Sequence, residues 1–150
     1  MDNAPTHASS TSASRRTRAK FFPNTASSIP QARVLTTQVL SEWAAVVDVD
    51  VVRLCVSELC TNALQHGKTP GRLFMLCLSL TDAELLVEVH DSNSALPKLR
   101  EAAPTDPTGR GLRLVEVFAA RWGTSPRRSL GKVVWCAFPL DPQCDTGEDT

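Results

Sequence analysis

The stretch SELCTNALQHG, residues 57–67, carries a carboxylate, an amide and an imidazole at intervals of four residues. Side chains four residues apart stand one above another on a helix, so Glu58, Asn62 and His66 would share one side of it. Such a row can line a binding site. It also suits an ordinary helix in which Glu58 is a solvated boundary residue and Asn62 a satisfied polar neighbour.

The apolar residues of the same helix indicate where this polar row lies. On a helical wheel, one arc of about 100° holds the apolar side chains, which are Val52, Cys55, Val56, Leu59 and Ala63. Glu58 and Asn62 lie at the edge of that arc, about 40° from each other. We therefore expect both to face the rim of the core, where a pocket can form between the helix and a sheet.

A second carboxylate, Asp91, ends an apolar strand and precedes Ser-Asn-Ser. A carboxylate in this position can accept an amino proton from a ligand at the mouth of a sheet. An Asx-turn at the strand end is the common alternative.

The segment TGRGLRLV, residues 108–115, places two glycines directly before a predicted helix. Glycines let backbone amides approach an anion closely, and a helix N-terminus adds partial positive charge. A glycine-rich turn before an ordinary helix would have the same sequence, so this motif alone is weakly specific.

The elements that must position these residues follow from periodicity and turn signals. Strands are predicted at 19–24, 71–80, 84–91, 121–125 and 131–140, and helices at 27–44, 48–67 and 109–120. Ser28 with Gln31 would form a capping box on the first helix, and Asp48 or Asp50 would cap the second. This order predicts an α/β two-layer sandwich with the helices on one face of a mixed, mostly antiparallel sheet.

Composition limits the class of protein and its partners. The 150 residues suit one domain, for which we assign 1–18 to a disordered arm, 19–140 to the domain and 141–150 to a flexible tail. Sixteen basic and sixteen acidic residues cancel, so no overall field favours nucleic acid or an anionic membrane. The apolar runs are shorter than the roughly 20 residues that cross a membrane, and no signal peptide is visible, which predicts a cytoplasmic protein.

The five cysteines form no CxxC pair and lack metal-ligand spacing, which argues against a redox or zinc protein. Four lie in apolar runs, where a thiol serves as a small core side chain. These are Cys55, Cys60, Cys77 and Cys136.

The order and spacing of the motifs resemble the GHKL ATPase superfamily, shared by gyrase B subunits, histidine kinases and MutL. ELCTNALQHG looks like its N box, VEVHDSNS like its first glycine box and GRGLRLV like its second. The resemblance covers roughly residues 20–140 and implies an ATP-binding domain with the Bergerat-type α/β sandwich.

No transducer domain or phospho-acceptor histidine helix accompanies these motifs. A lone domain of this length is similar to the bacterial anti-sigma-factor serine/threonine kinases and their stand-alone relatives, which also have RWG and GKVVW near the C-terminus. The resemblance implies a transferase that binds a sigma factor in one state and an anti-sigma-factor antagonist protein in another, and relatives commonly form homodimers.

Individual roles follow from the resemblance. It implies that Asn62 supplies an oxygen ligand to Mg²⁺, that Glu58 is the general base, and that Asp91 receives the adenine amino group. His66 would shape the pocket, and Asn93 belongs to the first glycine box. Residues 92–108 would form a lid, and backbone amides would bind the phosphates at Gly109, Arg110, Gly111 and Leu112.

The sequence departs from the family at two places. The first glycine box, expected as Asp-x-Gly-x-Gly, has Asn93 and Ala95 at its glycine positions, and Val133 or a neighbour replaces an adenine-binding Thr on the last strand. The altered hinge favours an alternative function, a binding module that sequesters a protein partner without phosphotransfer. The Glu58 and Asn62 pair favours the kinase.

Overall fold

The computed structural model describes residues 15–66, 72–91, 107–126 and 131–140. Five strands form one sheet: β1 (Arg16–Pro23), β2 (Leu73–Leu80), β3 (Glu84–Asp91), β4 (Arg121–Pro126) and β5 (Lys132–Pro139). Three helices accompany them: α1 (Ser28–Trp43), α2 (Val49–His66) and α3 (Pro107–Phe118). The predicted tail, Asn93 and most of the predicted arm and lid lie outside these ranges.

The sheet has the strand order β1-β2-β3-β5-β4, and all four pairings between the described strands are antiparallel. The predicted α/β two-layer sandwich is therefore confirmed, while the parallel component that a mixed sheet would have is not found among these strands. β1 begins at Arg16, three residues earlier than the sequence predicted. Its Arg18 donates a hydrogen bond to Glu42 of α1 across 2.7 Å.

The core lies between the helices and one face of the sheet. Along β3 the helix-facing side chains are buried and the others half-buried, and Leu85, Val87 and Val89 are the buried apolar ones. Their partners on α2 are the residues that the helical wheel placed on one arc, and all five are buried: Val52, Cys55, Val56, Leu59 and Ala63. The helical-wheel prediction for α2 is therefore confirmed. Burial follows the helical repeat along α2 and alternates from residue to residue along β3.

The other face of the sheet carries no helix among the described residues, as the predicted two-layer sandwich requires. Trp135 lies on this face, beneath the guanidinium of Arg121 and opposite Gly123. A Cβ added at Gly123 would lie 3.0 Å from the Trp135 ring, so a larger residue would displace the indole. Cys77 also belongs to this face and is half-buried, so its assignment to the core was wrong, whereas Cys55, Cys60 and Cys136 are fully buried.

Helix α1 starts differently from the predicted capping box. Ser27 is the N-cap and makes no side-chain cap bond. The Ser28 hydroxyl instead donates to the Pro23 carbonyl at 2.6 Å, which ties the helix to the end of β1. The helix ends at Ala44, whose φ of 52° and ψ of 42° are left-handed.

Helix α2 begins as predicted from Asp48. The Val51 amide donates to Asp48 Oδ1 at 3.3 Å, and the Val52 amide donates to the Asp48 carbonyl at 3.1 Å. The bond from Val51 satisfies a first-turn amide that has no other partner in the helix, and the bond from Val52 is the first one of the regular helix. Together they hold the start of the helix that carries Glu58 and Asn62. Within the described ranges, no helix combines the length and the apolar character needed to cross a membrane.

Candidate functional site

Helix α2 brings Asn62 into the interior. Its side chain lies at the edge of the buried face, and the residue is only 5% exposed. The amide oxygen Oδ1 is buried and has no hydrogen-bond partner among the described residues. An unsatisfied buried acceptor costs about 1–3 kcal/mol. Such an oxygen can accept a hydrogen bond or bind a cation, which fits a ligand-binding role.

Glu58 lies one turn before Asn62 on the same edge of α2 and is half-buried. Burial raises the pKa of its carboxyl above the usual range, because partial removal from water disfavours the ionised form. A raised pKa brings a carboxylate closer to the operating pH, where it exchanges protons more effectively. Its environment thus suits a proton acceptor.

Asp91 ends β3 with its side chain on the helix-covered face, and it is 3% exposed. Its register partners are Phe74 on β2 and Lys132 on β5. Lys132 Nζ lies 3.8 Å from Asp91 Oδ2, and both side chains are more than nine-tenths buried. The structure therefore places a buried ion pair at the end of the sheet.

Sequence reasoning missed Lys132. The signal was present in β5, where Lys132 occupies an inward position in alternation with Val134, Cys136 and Phe138. A lysine in an inward row of an apolar strand needs a charged partner. Val133, which marked the position of the expected Thr, is paired with His90 and Ser125 on the open face and faces away from Asp91.

Helix α3 begins at Pro107, two residues before the glycine pair that was expected to precede it. Gly109 and Arg110 therefore lie in the first turn, where amides lack partners within the helix. Gly111 and Leu112 follow them in the helix, where amides bond back to the carbonyls four residues earlier. The side chain of Leu112 packs against the core, so any contact with an anion would come from the first turn of the backbone.

The elements that carry these three parts pack on one another. Helix α2, which carries Glu58 and Asn62, packs on β3 and β5 and also against α3. His66 is the last residue of α2, and its side chain lies outside the described part of the chain, as does Asn93.

A surface groove of about 360 Å³ lies on the opposite, open face of the sheet. Glu88 and His90 line it, with His90 Nε2 at 3.1 Å from Glu88 Oε1, and Trp135 closes one side. Since Asp91 and Lys132 point to the helix-covered face, this groove is separate from the candidate site.

An antiparallel sheet covered on one face by helices, an acidic and amide pair on the covering helix, and a buried strand-end Asp form an α/β sandwich with a polar site at the edge of its core. Residues 22–138 match the family model of the histidine kinase-like ATPase domain, and the chain belongs to this family. The match spans α2, Asp91, α3 and most of β5. It confirms the GHKL superfamily and indicates nucleotide binding. Comparison with curated proteins gives no match.

Proposed function

We propose that the chain is an ATP-binding, Mg²⁺-dependent serine/threonine kinase that controls a transcription factor by partner switching, in the manner of anti-sigma factors. The observation that carries this proposal is the buried Oδ1 of Asn62, which has no hydrogen-bond partner among the described residues and lies one helical turn from Glu58. If α2 served only to cover the core, an apolar side chain in place of Asn62 would make the fold more stable.

Asn62 fits a magnesium ligand. Mg²⁺ prefers oxygen ligands and usually binds through one or two protein groups together with phosphate oxygens and water. Within the described ranges, no group of three or more His, Cys, Asp or Glu residues is arranged to hold a metal. Asn62 would thus contribute one oxygen, and bound Mg²⁺ would neutralise charge on the phosphates.

Glu58 would act as the general base. It takes the proton from the serine or threonine hydroxyl of the protein substrate as that oxygen bonds to the γ-phosphorus and the bond to the ADP oxygen breaks. Its pKa, raised by burial, supports this role. Most of the remaining rate enhancement in phosphoryl transfer comes from positioning and charge stabilisation.

Asp91 would accept the exocyclic amino group of adenine, and the start of α3 would receive the phosphates. Gly109 and Arg110 would offer first-turn amides, since α3 begins at Pro107. Gly111 and Leu112 would contribute theirs only if the first turn of α3 opened, since those amides are held within the helix. His66 would shape the pocket, and Asn93, in the first glycine box, would lie beside the nucleotide.

The proposed protein partners are a sigma factor and an anti-sigma-factor antagonist. We also propose that two copies of the chain form a homodimer, whether or not a partner is bound. The overall charge of zero fits protein partners better than direct binding of nucleic acid.

A sequestering module without phosphotransfer is the second candidate function. One observation favours it: Asn93 and Ala95 replace the hinge glycines of the first glycine box. In this case the domain would keep its partner-binding role and lose the reaction.

The test compares Glu58→Ala with Asn62→Ala. Asn62→Ala should weaken nucleotide binding in Mg²⁺ and leave binding in EDTA nearly unchanged. Glu58→Ala should still bind ATP, because only the base is lost, while phosphotransfer falls by roughly 10²–10⁴. Calorimetry with ATP and Mg²⁺, and transfer from radiolabelled ATP to antagonist proteins, measure the two effects.

Gln38→Ala, which removes an exposed amide from α1, is the matched control for Asn62. If Glu58→Ala transfers phosphate at the wild-type rate, Glu58 is not the general base and lies only at the boundary of the core. Tight ATP binding by the wild type without transfer to any antagonist would support the sequestering module.

A further inference from the structure

The buried pair of Lys132 and Asp91 needs an explanation beyond stability. Its Nζ to Oδ2 distance is 3.8 Å, and the two side chains are 9% and 5% exposed. Burial lowers the pKa of the Lys132 ammonium, and the Asp91 carboxylate only partly opposes that effect. Apolar residues of similar volume often stabilise a fold as well as such a pair does. A charged pair is therefore a costly way to fill this space.

The pair has a direct effect on Asp91. A buried carboxyl without a counter-charge takes up a proton more readily, and a protonated carboxyl is a donor on one oxygen. An adenine amino group needs an acceptor. A protonated Asp91 would keep one acceptor oxygen, but the carboxylate accepts a stronger, charge-assisted hydrogen bond from the amino group, and the ammonium of Lys132 favours that ionised form.

The charged side chains around Asp91 differ in sign and direction. On β3, Glu88 and His90 face the open side of the sheet, and on β2 the register partner is Phe74, with Arg72 just before that strand. On α2, Glu58 has the same sign as Asp91. On α3, Arg113 and Glu116 are exposed. The contact at 3.8 Å therefore identifies Lys132 as a cation that favours the ionised form of Asp91.

We propose that Lys132 is a positioning residue of the base subsite, which keeps Asp91 ionised as the acceptor for adenine and so sets the acid limit of ATP binding. This inference rests on the proposed function, in which Asp91 reads the base. A carboxylate offers about four lone-pair positions on two oxygens, so it can accept from the ammonium and from adenine together.

The test is the pH dependence of the dissociation constant for ATP with Mg²⁺, measured by calorimetry from about pH 5.5 to about pH 8.5. The variants are Lys132→Met, which removes the charge, and Lys132→Arg, which keeps it. Lys20→Met removes an exposed lysine from β1 and is the matched control. The ratio of each variant constant to the wild-type constant at the same pH cancels the protonation of ATP itself.

For Lys132→Met we expect this ratio to rise by roughly fivefold to tenfold as the pH falls through the range in which Asp91 takes up a proton, because the protonated carboxyl accepts a weaker hydrogen bond than the carboxylate. The ratio should stay level for Lys132→Arg and for Lys20→Met. A purely structural Lys132 would weaken binding equally at every pH, so a level ratio for Lys132→Met would overturn the inference.

Two controls keep the result decisive. If Lys132→Met fails to fold, the carboxyl carbon of Asp91 in the wild type is followed by ¹³C NMR. Its chemical shift should not change between about pH 8 and about pH 5.5, and a titration in that range would overturn the inference. If the wild type binds no ATP at any pH, the proposed function itself fails. ATP binding with a level ratio refutes only the role of Lys132.

Discussion

Asn62→Leu should separate the stability of this protein from its ligand binding. Leucine has the same number of non-hydrogen side-chain atoms and the same branching as asparagine, so the change mainly removes polarity. Oδ1 of Asn62 is buried without a partner among the described residues. Removing that acceptor recovers about 1–3 kcal/mol, and losing the donor of the amide offsets about 1 kcal/mol of the gain.

The expected result without ligand is a free energy of unfolding that rises by about 0–2 kcal/mol, or a melting temperature up to several degrees higher. Denaturant titration measures the first quantity and calorimetry the second. Gln38→Leu, at an exposed position on α1, is the control and should change neither by more than about 0.5 kcal/mol.

The same variant should lose affinity for ATP in Mg²⁺ by at least about tenfold, since even residues that only support a metal ligand often contribute that much. Its affinity in EDTA should match the wild type. Destabilisation of more than about 2 kcal/mol would show that Oδ1 is hydrogen-bonded in solution, and an unchanged Mg²⁺ dependence would show that Asn62 does not hold the metal.

Three further predictions concern stability. Glu58→Gln should raise the melting temperature at neutral pH, because a pKa raised by burial means that the ionised carboxylate opposes folding. Calorimetry should show this gain shrinking as the pH falls through the raised pKa and disappearing below the usual value of about 4.3, and a gain that persists in stronger acid would contradict the reasoning. Gly123→Ala should lower the free energy of unfolding by about 1–3 kcal/mol in denaturant titrations, because its Cβ would lie 3.0 Å from Trp135. An unchanged midpoint would mean that the indole moves aside at no cost. Ala44→Gly should raise the free energy of unfolding by about 0.5–1 kcal/mol, because φ at this position is 52°, and a loss of stability would refute strain at the end of α1.

Local sequence patterns predicted the helices and strands and the buried face of α2. The arc of apolar residues on α2 needed only the helical repeat, and burial of Val52, Leu59 and Ala63 follows it. Asp48 caps that helix as expected, because a cap bond joins residues three apart in the chain. The same repeat placed Glu58 and Asn62 at the rim.

Tertiary structure decided contacts that local sequence patterns did not predict. Ser28 donates to Pro23 instead of capping its own helix, because the turn from β1 brings that carbonyl closer. Cys77 belongs to the open face because the strand partners and helices determine which side of an apolar strand is covered. Neither outcome follows from apolar runs alone.

The sequence by itself determined the two-layer sandwich, the polar row on α2 and the carboxylate at the end of β3, since each depends on a short-range repeat or a neighbouring turn. The pairing of Asp91 with Lys132 was decided by the sheet, where β3 and β5 lie side by side although α3 and β4 separate them in the chain. A charge that is 41 residues away in sequence becomes a neighbour at 3.8 Å only through that register, and burial then makes their interaction matter.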